Sequence, residues 1–240
     1  MNALNRSTKD CWLIGIAVLF PTLVTWIYFV ALRNESDSIQ KVAYGIGKTI
    51  QFGFPIVWVW CCYRSDIGHR KPQRGELITG LISGIAIAVT MWLLFDLVIS
   101  KSAVMELLQQ RVQEKIAELG LDSAGMYVGT AIFYAAFHSL MEEYYWRWFV
   151  FGQLKKKTDL STAIAISSLG FMAHHVLLLA IYLGWSSPLT YAFSLCIAIG
   201  GAGWAWMYHR FGTLYGAWLS HAIVDAGIFW VGYQMVEKML

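Results

Sequence analysis

Seven long runs of apolar residues constrain this chain more than any other feature. A helix needs about 20 predominantly apolar residues to cross the hydrocarbon core of a bilayer. Hydrophobic residues make up 58% of the 240 positions and charged residues 14%, which leaves more apolar surface than a water-soluble fold of this length buries. The sequence therefore predicts an all-α, polytopic transmembrane bundle with seven crossings, at residues 12–32, 42–63, 77–99, 126–153, 160–183, 189–208 and 214–236.

The stretch between the third and fourth runs is different, because its apolar residues alternate at helical spacing with charged and amide residues. The apolar positions are Met105, Leu107, Leu108, Val112, Ile116 and Leu119. This pattern indicates an amphipathic helix, either at the membrane interface or packed on the bundle. We expect one membrane domain over residues 1–240. It comprises three crossings in 1–100, this interfacial segment in 101–123 and a four-helix core in 124–240.

The basic residues of the loops indicate the orientation and the location of the chain. With the N-terminus in the cytoplasm, ten Lys and Arg residues lie on the cytoplasmic side and six on the other. We expect an integral protein of a bacterial cytoplasmic membrane, in contact with lipid, with a cytoplasmic N-terminus. The low charge of its loops argues against nucleic-acid binding.

Pairs of glycines four residues apart predict two sites of close helix packing. They are Gly80 with Gly84, and Gly212 with Gly216. Small residues at this spacing let two helix backbones approach each other in a membrane.

Ionisable residues inside the apolar runs are the strongest indication of function. Each costs free energy at membrane depth unless it is paired or lines a wet cavity. Lone histidines often bond a backbone carbonyl, which is our interpretation of His138, His174 and His209. Lys48 and Asp96 lie near enough to the ends of their runs to snorkel. The residues that need another explanation are Glu142, Glu143, Arg147, His175, His221 and Asp225.

Helical spacing suggests separate roles for the two adjacent glutamates. In one regular α-helix, Glu143 and Arg147 are four residues apart and share a face, which favours an ion pair. Glu142 points about 100° away from that face. A poorly solvated carboxylate at this position suits the deprotonation of a water molecule.

Three spaced motifs then connect the chain to a known family. They are EExxxR at Glu142, Glu143 and Arg147, FxxxH at Phe171 and His175, and HxxxN or HxxxD at His221 and Asp225. With these motifs the sequence resembles the CPBP intramembrane proteases, which include the type II CAAX prenyl endopeptidases and bacteriocin-processing proteins. The resemblance covers residues 126–236.

The resemblance implies an endopeptidase that hydrolyses a peptide bond with an activated water molecule. Glu142 would be the general base, His175 would help to hold the water, and His221 with residue 225 would stabilise the oxyanion. Glu143, Arg147 and Phe171 would support the site. The substrate would be a peptide or a lipid-modified or membrane-anchored protein.

Residue 225 is Asp here, whereas the eukaryotic prenyl endopeptidases have Asn at this position. An ionised aspartate cannot donate a hydrogen bond, so Asp225 is protonated, orients His221 or binds a metal. We favour a reaction without a cofactor. The alternative is a zinc ion bound by Glu142, His175, His221 and Asp225.

Two other functions remain open at this stage. A non-catalytic membrane peptide-binding or immunity protein could keep the same fold, and a proton-coupled carrier could use the same acids and imidazoles. Hydrolysis that depends on Glu142 would distinguish the protease from both.

Overall fold

The computed structural model describes residues 3–62 and 71–240. The ten Lys and Arg residues predicted on the cytoplasmic side include Arg64 and Arg70, which lie outside the described residues. The described part of the chain is helical and contains no strand. The predicted all-α fold class is therefore confirmed.

The helices match the apolar runs closely. Most of them are regular α-helices: α1 (Ala3–Trp26), α2 (Asp37–Cys62), α3 (Arg74–Leu97), α4 (Val104–Glu118), α8 (Leu160–Leu183), α9 (Pro188–Phe211) and α10 (Tyr215–Val236). The fourth run is a succession of α- and π-helical segments without a break, which we call the motif segment (residues 124–154). Its parts are α5 (Ala124–Ile132), a first π segment (Phe133–His138), α6 (Ser139–Glu143), a second π segment (Tyr144–Phe151) and α7 (Gly152–Leu154).

Four of the described helices are long and apolar enough to cross a membrane. They span Cys11–Ala31, Arg74–Lys101, Leu160–Leu183 and Pro188–Phe211. Many of their large apolar side chains are exposed, as expected for side chains that contact lipid. These helices fit a polytopic bundle, and the count of seven crossings stays a prediction.

The chain forms two compact units. The first contains the described residues of Met1–Arg70 and Tyr144–Trp206, and the second contains Lys71–Glu143 and Met207–Leu240. The boundary passes through the first family motif, because Glu142 and Glu143 belong to the second unit and Arg147 to the first.

Close contact between α3 and α10 forms the centre of the second unit. A Cβ atom on Gly80 would lie 2.9 Å from the Cα of Gly216, and one on Gly84 would lie 3.0 Å from the Cα of Ser220. The Gly80 and Gly84 packing face is therefore confirmed. The second predicted face is wrong at Gly212, whose φ of 75° ends α9 in the left-handed conformation that glycine adopts readily.

A buried carboxylate connects the N-terminal ends of α3 and α10. Glu76 forms a capping box with Gln73 at the start of α3. Its Oε1 also accepts hydrogen bonds from the Thr213 hydroxyl at 2.5 Å and the Gly216 N–H at 2.9 Å. One side chain therefore satisfies donors of two helix starts. Our interpretation of the sequence missed Glu76, because the residue three positions before it is Gln73 and the usual capping box begins with Ser or Thr.

The predicted amphipathic helix exists as α4, and its apolar face packs on the C-terminal end of α10. Ile116 is buried together with Leu121, Tyr127, Met235 and Val236. Gln109 and Gln113 donate hydrogen bonds to the carbonyl oxygen of Met235. These contacts favour the alternative in which the helix packs on the bundle.

In the first unit, α1 packs on α8 and on the second π segment. Pro21 lies inside α1 and has no N–H to donate to the carbonyl of Ala17. The Tyr145 hydroxyl donates to that carbonyl instead, at 2.6 Å. The carbonyl that proline leaves without a main-chain donor in α1 is thereby satisfied by a side chain of the motif segment.

Candidate active site

Four of the predicted site residues meet around one imidazole ring in the second unit. The Nδ1 atom of His221 lies 2.8 Å from Oε1 of Glu143. Its Nε2 atom lies 3.8 Å from Oε2 of Glu142 and 3.6 Å from Oδ1 of Asp225. We call Glu142, Glu143, His221 and Asp225 the acid–histidine cluster.

Local helix geometry explains how these side chains converge. His221 and Asp225 are one turn apart on α10 and share a face. Glu142 and Glu143 are adjacent at the end of α6 and point in different directions, so that each carboxylate reaches a different edge of the imidazole ring. Glu142, Glu143 and His221 are buried, with Glu143 completely inaccessible.

The partners of His221 distinguish its two ring nitrogens. The carboxylate of Glu143 accepts a hydrogen bond from Nδ1, which places a proton on that atom. Nε2 faces the other two carboxylates at distances longer than a direct hydrogen bond. The ring can therefore act through Nε2 while Glu143 holds it in place.

The first unit holds the other charged motif residue in an aromatic environment. The Arg147 guanidinium lies 4.6 Å from the centre of the Phe171 ring and 5.1 Å from that of Trp204. Its Nη2 atom also donates to the Gly201 carbonyl at 3.5 Å. These three neighbours and Arg147 form what we call the arginine–aromatic cluster. Such ring contacts stabilise a desolvated cation.

His175 also lies in the first unit, where its own helix fixes its tautomer. Its Nδ1 donates to the Phe171 carbonyl one turn earlier, at 2.9 Å. In the neutral ring, Nε2 is then the acceptor nitrogen. This orientation suits a residue that binds a water proton, and the role of His175 with Glu142 stays a prediction.

The assumption of a regular α-helix from Glu142 to Arg147 is wrong, because the second π segment begins at Tyr144. Hydrogen bonds in a π-helix reach back five residues, so the angle between the Glu143 and Arg147 side chains differs from that in a regular α-helix. The ion pair between Glu143 and Arg147 stays a prediction. Our interpretation missed the contact of Glu143 with His221, since no local signal connects residues 78 positions apart.

The other intramembrane histidines have aromatic neighbours. His138 packs on Tyr134 with ring centres 4.9 Å apart, and His174 stacks on Trp146 at 6.0 Å.

As for a metal, the described residues contain no group of three or more His, Cys, Asp and Glu side chains arranged to hold an ion. The alternative zinc site of Glu142, His175, His221 and Asp225 stays a prediction.

The apolar helices and the buried acid–histidine cluster define the class of protein: this is an integral membrane protein with titratable groups in its interior. Residues 124–227 match the family model for Type II CAAX prenyl endopeptidase Rce1-like proteins. The predicted family resemblance is thus confirmed over this segment. No curated protein and no solved structure matches the chain. The family match indicates CAAX-type intramembrane protease activity.

Proposed function

We propose that this protein is an intramembrane endopeptidase in which Glu142 activates the hydrolytic water. The observation that carries the proposal is the position of the His221 ring between the carboxylate of Glu143 and those of Glu142 and Asp225. This arrangement combines a carboxylate that can accept a proton with an oriented imidazole that can bind a developing negative charge.

The distance between Glu142 and His221 supports a water-based reaction. At 3.8 Å, Oε2 and Nε2 are too far apart for a direct hydrogen bond and near enough to share a bridging water molecule. Glu142 takes a proton from this water while the water oxygen attacks the carbonyl carbon of the peptide bond. When the tetrahedral intermediate collapses, the C–N bond breaks and Glu142 returns the proton to the leaving nitrogen. The carboxyl and amino products balance the added water.

His221 stabilises the oxyanion, and Asp225 acts through His221. Because Glu143 accepts the Nδ1 proton, the ring donates to an oxyanion from Nε2, as an imidazolium. Asp225 lies 3.6 Å from that nitrogen and counters the charge of the ring. This geometry favours the orienting role among the three roles that the sequence leaves open for Asp225.

The remaining motif residues support the site from their own surroundings. Glu143 positions His221 through its hydrogen bond. Arg147 and Phe171 stabilise the helices of the first unit. The role of His175 stays a prediction that rests on the family resemblance. No step of the proposed reaction passes through a metal.

The substrate class follows from the surroundings of the site and from the family. The cluster lies within apolar helices, and the matched family acts on prenylated or membrane-anchored proteins. We propose that the substrate is a peptide segment of such a protein and that lipid surrounds the enzyme. The cytoplasmic N-terminus and the bacterial membrane stay predictions.

The test is hydrolysis of a quenched-fluorescent peptide library by the purified full chain in detergent. Glu142→Gln keeps the size of the side chain and removes the base, so we expect kcat/KM to fall by about 10²–10⁴-fold, the usual contribution of general base catalysis. The melting temperature should stay the same. Glu106→Gln, at an exposed carboxylate on α4, is the matched control and should keep full activity.

Each variant is assayed with and without a chelator. Activity that resists the chelator and is lost in Glu142→Gln supports the metal-free reaction. Activity lost with the chelator and restored by Zn²⁺ would establish the zinc alternative. Peptide binding or proton transport that survives Glu142→Gln, with no hydrolysis by the wild type, would favour one of the non-proteolytic functions.

A further inference from the structure

Two neighbouring carbonyls of the first π segment accept hydrogen bonds from side chains. The Ser139 hydroxyl donates to the Ala135 carbonyl at 2.5 Å. The Trp218 indole N–H donates to the Ala136 carbonyl at 2.8 Å. Main-chain bonds here reach back five residues, as from the Ser139 N–H to the Tyr134 carbonyl. Such π turns often occur at functional sites.

Trp218 and His221 lie three residues apart on α10 and therefore share a face. This face contacts the motif segment at two places within the second unit. Trp218 binds the first π segment, and His221 binds Glu143 and approaches Glu142. The first contact lies just before α6 and the second lies at its C-terminal end, where both glutamates are found.

Two attachment points fix the rotation of α6, whereas one would leave it free to turn. Each residue of an α-helix turns by about 100°, so the change from π to α hydrogen bonding decides which way Glu142 points. The bond from Trp218 to Ala136 is exposed at the protein surface, and where lipid covers that surface few water molecules compete with it. The bond from Trp218 is therefore suited to hold the π segment in one register.

We propose that Trp218 is a positioning residue, which holds the first π segment so that Glu142 faces Nε2 of His221. The proposal rests on the proposed function of Glu142. Trp218 belongs to none of the three sequence motifs, and its indole N–H binds the Ala136 carbonyl, which is outside the acid–histidine cluster.

The test compares Trp218→Phe with Trp230→Phe in the full chain. Phenylalanine keeps an aromatic ring and removes the donor. Trp230 is a matched control on α10, since it is exposed and stacks on Tyr233. We expect Trp218→Phe to lower kcat about tenfold with KM within about twofold, because small misplacements of a catalytic group reduce the rate strongly. Trp230→Phe should leave both constants unchanged.

A second variant guards against a folding defect. Replacing Trp218 with 3-benzothienylalanine substitutes sulfur for the N–H group and keeps the two-ring shape, so the same loss of kcat at an unchanged melting temperature would assign the effect to the hydrogen bond. A kcat equal to that of the wild type in both Trp218 variants would overturn the proposal.

Amide hydrogen exchange gives a measurement that does not depend on activity. Peptides that cover residues 133–143 should exchange faster in Trp218→Phe than in Trp230→Phe, since local opening becomes easier without the bond. If the wild type hydrolyses no peptide, the proposed function fails. The exchange measurement still shows whether Trp218 holds the first π segment in place. Equal exchange in the two variants would refute the positioning role.

Discussion

The acid–histidine cluster of the second unit and the arginine–aromatic cluster of the first both bury charged groups in an apolar protein. In the former, three carboxylates surround one imidazole, and two of them lie beyond direct hydrogen-bond distance from it. In the latter, one guanidinium is in contact with two rings and a carbonyl oxygen. The first arrangement has protonation states that can change during a reaction, and the second has a permanent cation in contact with aromatic rings.

This difference teaches how one sequence motif can serve two purposes. Glu142 and Glu143 end the part of the motif segment that belongs to the second unit, and Arg147 lies in the first unit. We infer that the glutamates act in chemistry and in the orientation of His221, whereas the arginine acts in folding. Changes in the two clusters should therefore affect different measurements.

The largest effect on stability is expected for Arg147→Ala. The change removes two buried cation–π contacts, each about 2 kcal/mol when desolvated, so we expect the free energy of unfolding to fall by about 3–4 kcal/mol. Thermal unfolding in detergent measures this loss, and the activity per folded molecule should survive. Arg210→Ala, at an exposed arginine near Phe211, is the control and should change the stability little. Loss of activity at unchanged stability would contradict the separation of roles.

An intermediate effect is expected from the packing of the second unit. A methyl group at position 80 would meet the backbone of Gly216, so Gly80→Ala should destabilise the protein by about 1–3 kcal/mol, as overpacking usually does. Gly129→Ala is the control, because a Cβ there meets no atom within 4 Å. It should stabilise its helix by about 0.5–1 kcal/mol. Equal melting temperatures in the two variants would show that α3 and α10 separate easily.

The smallest effect concerns the N-cap of α8 in the first unit. Hydrogen bonds from the Thr162 hydroxyl and then the Thr162 N–H lower the pKa of Asp159 below its ordinary value of 3.8. This cap therefore stabilises the fold above pH 3.8, and its contribution is lost as the pH falls through the lowered pKa. Asp159→Asn keeps an acceptor without titration, so its melting temperature should depend less on pH in this range. If the melting temperatures of the wild type and of Asp159→Asn depend on pH in the same way, the cap is not the cause of that dependence.

Much of the fold could be predicted from the sequence, because long apolar runs leave few alternatives to helices in a membrane. The run at 160–183 coincides with α8, and five others differ from their helices by five residues or fewer at each end, whereas α1 begins nine residues before the run at 12–32. The site residues of the second unit could be found as well. Glu142, Glu143, His221 and Asp225 stand out because charged groups are rare at membrane depth.

The interactions of these residues could not be predicted in the same way. The choice between α and π hydrogen bonding at Tyr144 depends on tertiary packing, which periodicity does not report. The contacts of Glu143 with His221 and of Trp218 with Ala136 join distant parts of the chain. Gly212 fits a packing pattern and a helix end equally well until its φ angle is known.

The bond from Tyr145 to the Ala17 carbonyl has a consequence for the biogenesis of the protein. The two residues are separated by 128 positions, and a ribosome adds about 5–20 residues per second. About 6–26 seconds therefore pass between the synthesis of the carbonyl and that of its donor. During this interval the newly made α1 lacks the bond that completes it at Pro21. If α1 enters the lipid only after Tyr145 has been synthesised, the hydroxyl donor for the Ala17 carbonyl is already present when α1 inserts.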